Sequence, residues 1–126
     1  MTRFLIVCGA GGLGCGARYL VSLWAGGRWG GGFPWGTLLV NLIGSFLITL
    51  VIELSVRTTG ISPHLRLALT TGFLGGFTTY SSFNHESTSL LLDGHVGRGL
   101  VNLGAMLGGC LVAGLLALAL ARRLAW

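Results

Sequence analysis

Four long apolar stretches make up most of the chain, and each is long enough to cross a lipid bilayer, which takes about 20 residues. Short segments containing glycine, proline or arginine separate them. The pattern predicts an all-α integral membrane protein with four transmembrane helices. The predicted spans are Phe4–Trp24, Trp35–Leu54, Leu65–Leu92 and Gly99–Ala121.

The composition agrees with this pattern. Hydrophobic residues make up 52% of the 126 residues and charged residues only 9%, which is more apolar than a soluble domain of this size. The net charge of +5 comes from arginine, because the chain has no lysine. Since the arginines lie mainly at the ends of spans, as in membrane proteins, we expect membrane lipid and not nucleic acid as a partner. A single domain over residues 1–126 is predicted.

The third span contains the most unusual stretch, Leu69–Glu86, whose ends fit a helix and whose middle does not. Gly75 and Gly76 each weaken a helix by about 1 kcal/mol relative to alanine. Two threonines follow, and their hydroxyls compete for backbone hydrogen bonds. We therefore predict that the third helix is broken in the middle of the membrane, at Gly75–Thr78.

Backbone groups released by such a break must be satisfied inside the membrane. There are two ways to do so. Either carbonyl oxygens from two copies of the chain converge on a hard cation, or the hydroxyls of Thr78 and Thr79 satisfy a simple kink. The residues alone leave both alternatives open.

Uncharged polar and aromatic residues surround the predicted break. In the second span, small and polar residues recur at three- and four-residue spacing and so share one face: Thr37, Asn41, Gly44, Ser45 and Ile48. Asn41 either joins helices or offers N–H donors to a passing solute. After the break, Tyr80 and Phe83 share a face, as do Ser81 and Asn84. Hydroxyls, amides and the positive edges of aromatic rings favour a small anion over a cation.

The first span carries an ionisable residue, Arg18, at a cost of at least about 2.5 kcal/mol inside a membrane. Its guanidinium is either paired within the protein or extended to the interface. The sequence offers no Ser–His–Asp set and no metal-binding cluster, and its histidines lie towards span ends. We therefore do not expect an enzyme.

Small residues are predicted to serve packing. Glycines with the spacing that lets membrane helices approach closely are Gly12, Gly16, Gly104 and Gly108. The three cysteines form no C-x-x-C pair and are expected to be small buried hydrophobes; they are Cys8, Cys15 and Cys110.

Three runs resemble the Fluc/CrcB family of fluoride channels: Gly11–Tyr19, which reads GGLGCGARY, Gly36–Leu42, which reads GTLLVNL, and Thr71–Phe83, which reads TGFLGGFTTYSSF. The resemblance extends over essentially the whole chain. It implies an antiparallel dimer of four-helix subunits in the bacterial plasma or inner membrane, with two fluoride pathways along the subunit interface. The implied function is export of cytoplasmic fluoride down its electrochemical gradient, which protects the cell from fluoride toxicity.

The resemblance also implies roles for individual residues. Gly75 and Thr78 would offer backbone carbonyl oxygens to a structural sodium ion at the dimer centre, which is not transported. Arg18 would lie at a pore vestibule or a pairing site. The implied ion-pathway positions are Asn41, Thr79, Tyr80, Ser81, Phe83, Met106 and Cys110.

Four residues depart from the family pattern. Tyr80 stands where the family usually has a phenylalanine, and Asn84 where it has a small or hydroxylated residue. Met106 and Cys110 replace residues that are commonly polar. We expect these departures to alter one of the two implied pathways.

Two other classes compete with the channel. A coupled exporter of the small multidrug resistance type needs a carboxylate within the membrane, whereas Glu53 and Glu86 are expected near span ends. A scaffold whose glycines only pack helices does not explain the uncharged polar series from Thr78 to Phe83.

The arginines also predict an orientation. One side of the membrane would hold Arg3, Arg57, Arg66, Arg122 and Arg123, and the other Arg28 and Arg98. Five against two favours termini in the cytoplasm. A homodimer whose subunits insert in opposite orientations should have similar numbers of arginines on the two sides. Because the numbers here differ, we hypothesise that the chain prefers one orientation and pairs with an oppositely inserted homologue.

Overall fold

A computed structural model describes residues 1–124, and the regular structure of these residues is helical throughout. In chain order, the elements are α1 Thr2–Trp29, α2 Trp35–Arg57, α3 Pro63–Leu67, a π-helical segment Ala68–Leu74, α4 Gly75–Phe77, α5 Tyr80–Leu92 and α6 Val96–Leu124. Three of them, α1, α2 and α6, are long and apolar enough to cross a membrane. Residues 125–126, which belong to the predicted single domain, lie outside the described residues.

The three long helices confirm the first, second and fourth predicted spans in place and extend beyond them. The first helix passes Trp24 and ends only where Gly30 adopts a φ of 75°, a conformation that favours glycine. Pro34 stands just before α2, where a missing N–H costs no helical bond. Apolar content therefore located the helices, while local turn chemistry set their ends.

The region predicted as the third span is built from several pieces. It starts with Ser62, whose hydroxyl accepts a hydrogen bond from the Leu65 N–H at 3.2 Å, a typical N-cap. The backbone then stays helical through Phe77 and becomes extended at Thr78 and Thr79. The break thus falls at the end of the predicted range, and the expectation that the two glycines interrupt the helix is wrong.

Those glycines are helical because they pack against α1. A Cβ at Gly76 would overlap the backbone carbonyl of Gly11, and a Cβ at Gly14 would overlap that of Phe73. Only glycine lets two backbones come this close. Glycine therefore brings α1 against the π-helical segment and α4, rather than breaking the helix.

The glycines that were predicted to pack are not the ones in close contact within the described chain. A Cβ would meet nothing within 4 Å in the described chain at Gly12, Gly16, Gly104 or Gly108. On α6, the glycines in close contact are instead Gly99 and Gly109, where a Cβ would come 2.7 Å from Leu91 Cδ2 and from Leu42 Cδ2, respectively. Cys8 and Cys15 are exposed on α1, so the expectation that they are buried is also wrong within this chain.

The second helix lies at the centre of the fold and contacts every other helical element. On one side, Leu38 packs with Phe83 of α5 and Met106 of α6. On another, Val40 packs with Leu74 and with Phe77. The extended residues after Phe77 therefore run alongside α2, from one buried cluster to the other.

Candidate functional site

The predicted polar face of α2 is turned towards the helix break. Thr37, Asn41 and Gly44 are buried, and the other two members of the stripe are half-buried, which confirms that they share an inward face. A Cβ at Gly44 would overlap the Thr78 side chain. Glycine at this position therefore lets the break lie directly against α2.

Asn41 joins α2 to the break through both ends of its amide. Its Oδ1 accepts a hydrogen bond from the Thr79 N–H at 2.8 Å, and its Nδ2 donates to the Thr79 carbonyl at 3.0 Å. The backbone N–H and the carbonyl of Thr79 are thus both hydrogen-bonded, as buried backbone groups must be. Of the two sequence alternatives, the helix-joining contact is made, and the second N–H of Nδ2 forms no hydrogen bond with a described residue.

The carbonyl oxygens around the break differ in whether they accept a hydrogen bond. Because the Thr79 N–H binds Asn41, the Gly75 carbonyl loses its usual partner four residues on. The Gly76 carbonyl accepts a hydrogen bond from Arg18 Nε at 3.2 Å, so the structure shows the pairing alternative for this arginine. Within residues 1–124, the carbonyl oxygens of Gly75 and Thr78 accept no hydrogen bond.

The threonine hydroxyls satisfy part of the break. Thr78 Oγ1 donates to the Leu74 carbonyl at 2.9 Å, and Thr79 Oγ1 accepts from the Ser82 N–H at 3.3 Å as the N-cap of α5. The kink alternative is thus correct for the hydroxyls, yet it leaves the two carbonyls above without a donor. Binding of a cation by these carbonyls stays a prediction.

A cleft of about 320 Å³ opens between α2, the break, α5 and α6. It is lined by Asn41, Gly44, Ser45, Ile48, Thr78, Thr79, Tyr80, Phe83, Met106, Leu107 and Cys110. Six of the seven predicted ion-pathway positions are therefore brought together, and Ser81 is the exception. None of these lining residues is an arginine, histidine, aspartate or glutamate, so the walls carry no fixed charge and are mainly apolar, with a few polar groups.

Two aromatic rings form one wall of the cleft. The ring centroids of Tyr80 and Phe83 are 5.5 Å apart in an edge-on arrangement. Phe83 is 3% exposed and anchored in the core, whereas Tyr80 is 74% exposed. Ser81 lies outside the lining, and its hydroxyl is 3.2 Å from Thr79 Oγ1. The hydroxyl network thus reaches the cleft through Thr79.

Sequence reasoning missed a second polar contact one turn along α2. Thr37 Oγ1 donates to Glu86 Oε1 at 2.7 Å, and the buried Oε2 has no partner in the described chain. The pair borders a cavity of about 390 Å³ that also touches Ser22, His85 and Asp93. Glu86 is half-buried midway along α5 and not at a span end as predicted. The usable signal was the position of Thr37 on the polar stripe.

Comparison with known proteins extends over the same residues. Residues 5–118 match the family model described as CrcB-like protein, Camphor Resistance (CrcB). The chain is 49% identical over 125 residues to the fluoride-specific ion channel FluC of Anaeromyxobacter sp. (strain K), covering 99% of each chain. It is 47% identical over 124 residues to that of Sorangium cellulosum (strain So ce56), covering 98% of each.

A third relative, the fluoride-specific ion channel FluC of Geobacter sulfurreducens, is 50% identical over 115 residues, covering 89% of this chain and 90% of its own. The relatives are thus described as ion channels and not as enzymes. The matched region contains every residue that lines the cleft, and the long apolar helices make this a multi-pass protein of the cell membrane. Family model, near-full-length identity and apolar helices therefore agree that the chain belongs to the CrcB family.

Proposed function

We propose that this chain is a subunit of a fluoride-selective channel through which cytoplasmic fluoride leaves down its electrochemical gradient, protecting the cell from fluoride toxicity. The observation that carries the proposal is the cleft at the helix break, whose lining includes hydrogen-bond donors and two aromatic rings and carries no fixed charge. The names of the relatives agree with it.

The lining suits an ion that holds its water strongly. Fluoride must exchange its hydration shell for protein donors before it enters an apolar environment. The spare N–H of Asn41, the hydroxyls near Thr79 and the positive edges of Tyr80 and Phe83 are such donors. Because no arginine or histidine lines the cleft, the ion is not trapped by a full charge.

The segments α3 to α5, taken with the π-helical segment, would form the fourth membrane crossing. They run from Pro63 to Leu92 with a single two-residue interruption. At about 1.5 Å per helical residue, this length exceeds the roughly 30 Å of a bilayer core. Extended backbone at membrane depth is tolerated where protein or a water-filled path surrounds it, as Asn41 and the cleft do here.

The second subunit of the proposed antiparallel dimer would cover the cleft. Tyr80 and Leu107, which border it, are 74% and 63% exposed. The contact-free glycines of α1 and α6 offer further surfaces where another helix can approach closely. The dimer would then have two fluoride pathways along the subunit interface.

The residues of the break also fit a structural sodium ion at the dimer centre. The carbonyl oxygens of Gly75 and Thr78 accept no hydrogen bond within residues 1–124, and carbonyl oxygens are the ligands that hard cations prefer. In an antiparallel dimer, each subunit would supply such a pair. When bound, the ion would supply positive charge near the two breaks.

We also propose that the arginine bias gives the chain one preferred orientation, so that it pairs with an oppositely inserted homologue. A tag at the C-terminus of the chain expressed alone should then be accessible from one side only. Equal labelling from both sides would show dual insertion and support a homodimer instead.

The channel proposal is tested by fluoride efflux from liposomes containing this chain alone, read with a fluoride electrode. Efflux should be fast with the membrane voltage collapsed by a potassium ionophore, and it should not require a proton gradient. Chloride efflux under the same conditions is the control. Folded protein that releases neither anion, alone or with a coexpressed homologue, would contradict the proposal.

A further inference from the structure

The α6 wall of the cleft carries two sulfur atoms side by side. Met106 and Cys110 are four residues apart, so they share one face of the helix. The Cys110 thiol donates to Met106 Sδ, with the two sulfurs 3.8 Å apart. Both residues line the cleft. A thiol and a thioether thus lie in the wall of the cleft, where this face of α6 also packs against the buried cluster around Leu38 and Phe83.

This pair has the chemistry of a soft-metal site. Thiolate and thioether sulfurs select soft monovalent cations such as Cu(I), whereas hard cations choose oxygen ligands. No arginine or histidine lines the cleft to repel a cation. A thiolate bound to a monovalent cation is neutral overall, which limits the cost of burying either charge.

We propose that Met106 Sδ and Cys110 Sγ together bind one soft monovalent cation of the Cu(I) and Ag(I) class. On binding, the Cys110 thiol gives its proton to solvent and its sulfur forms a bond to the metal, while Met106 adds a lone pair. No electron is transferred. The site lies in the wall of the proposed ion pathway, so an occupied site obstructs fluoride; this consequence, unlike the binding itself, rests on the proposed function.

The test of binding uses Ag⁺ in chloride-free nitrate buffer. Replacing Cys8 and Cys15 by serine leaves Cys110 as the last of the three cysteines, and both replaced residues are exposed on α1 away from the cleft. After removal of free metal, elemental analysis should find one silver per chain, and Cys110→Ser should abolish it. Met106→Leu should weaken binding about tenfold or more, since even an outer partner of a metal site contributes 10–100-fold.

Two results would overturn the two-sulfur site. Silver retained by folded Cys110→Ser protein would place the metal elsewhere. Unchanged affinity in Met106→Leu would show that the thiol binds alone. Leu107 lines the same cleft beside Met106 and has no sulfur, so Leu107→Ile is the matched control and should leave binding unchanged.

Fluoride efflux then separates the site from the channel. Each variant is compared with its own rate before silver is added. Ag⁺ should stop efflux in the chain that keeps Cys110 and should leave the Cys110→Ser rate unchanged. Efflux that continues with silver bound would overturn the proposed obstruction. Silver binding without any efflux, even before the metal is added, would support the metal site and contradict the channel.

Discussion

Replacing Asn41 tests whether its amide holds the helix break together. Asn41→Leu keeps the size of the side chain but removes both hydrogen bonds to Thr79. A buried backbone group left without a partner costs about 1–3 kcal/mol, so two such groups give an upper range of about 2–6 kcal/mol. Water from the adjoining cleft can replace part of the loss. We therefore expect a destabilisation of about 2–3 kcal/mol.

The measurement is the free energy of unfolding in mixed micelles titrated with SDS. Ser45→Ala is the matched control, because Ser45 lines the same cleft on the same helix and its hydroxyl makes no hydrogen bond with a described residue. Its effect should stay within about 0.5 kcal/mol. Wild-type stability in Asn41→Leu would refute the role of the amide.

Three further predictions follow from the packing. Gly14→Ala should destabilise the subunit by about 1–3 kcal/mol because its Cβ would overlap the backbone of the π-helical segment. A Cβ at Gly12 meets nothing within 4 Å in residues 1–124, so Gly12→Ala should leave the fold of the subunit as stable or more stable in the same SDS titration. Phe83→Leu should fold, with a free energy of unfolding lower by less than about 1.5 kcal/mol, but should slow fluoride efflux because the aromatic ring edge is removed. Unchanged efflux would exclude Phe83 from the pathway. Ser87→Ala should lower the free energy of unfolding more than Asn102→Leu does. Ser87→Ala leaves the buried Asn102 Nδ2 without its acceptor, the Ser87 hydroxyl at 2.9 Å, whereas Asn102→Leu removes that donor together with Oδ1, which has no partner among the described residues. The reverse order of the two unfolding free energies would contradict this reasoning.

Sequence patterns predicted the parts of the fold that depend on composition along one helix. Apolar runs located α1, α2 and α6, and three- and four-residue spacing correctly assigned the inward face of α2. These two features follow from hydrophobic burial and helical geometry, which a single sequence displays directly. The seven proposed pathway residues came from the family resemblance instead, and six of them line the cleft.

The remaining features depend on which elements meet. Gly75 and Gly76 lower helix propensity, yet α1 packs on Gly76 and the helix continues to Phe77; tertiary contact overrides propensity. The two hydrogen bonds between Asn41 and Thr79 join residues 38 positions apart, and no local pattern encodes that distance. The Thr37–Glu86 contact was missed for the same reason.

The central claim is passive, selective conduction of fluoride, and the reversal potential of the current through the purified chain in a planar bilayer tests it most directly. With fluoride unequal on the two sides and chloride opposing it, current should reverse at the equilibrium potential of fluoride and be unaffected by a pH gradient. Reversal at the chloride potential, or a current that follows the proton gradient, would contradict a fluoride-selective channel.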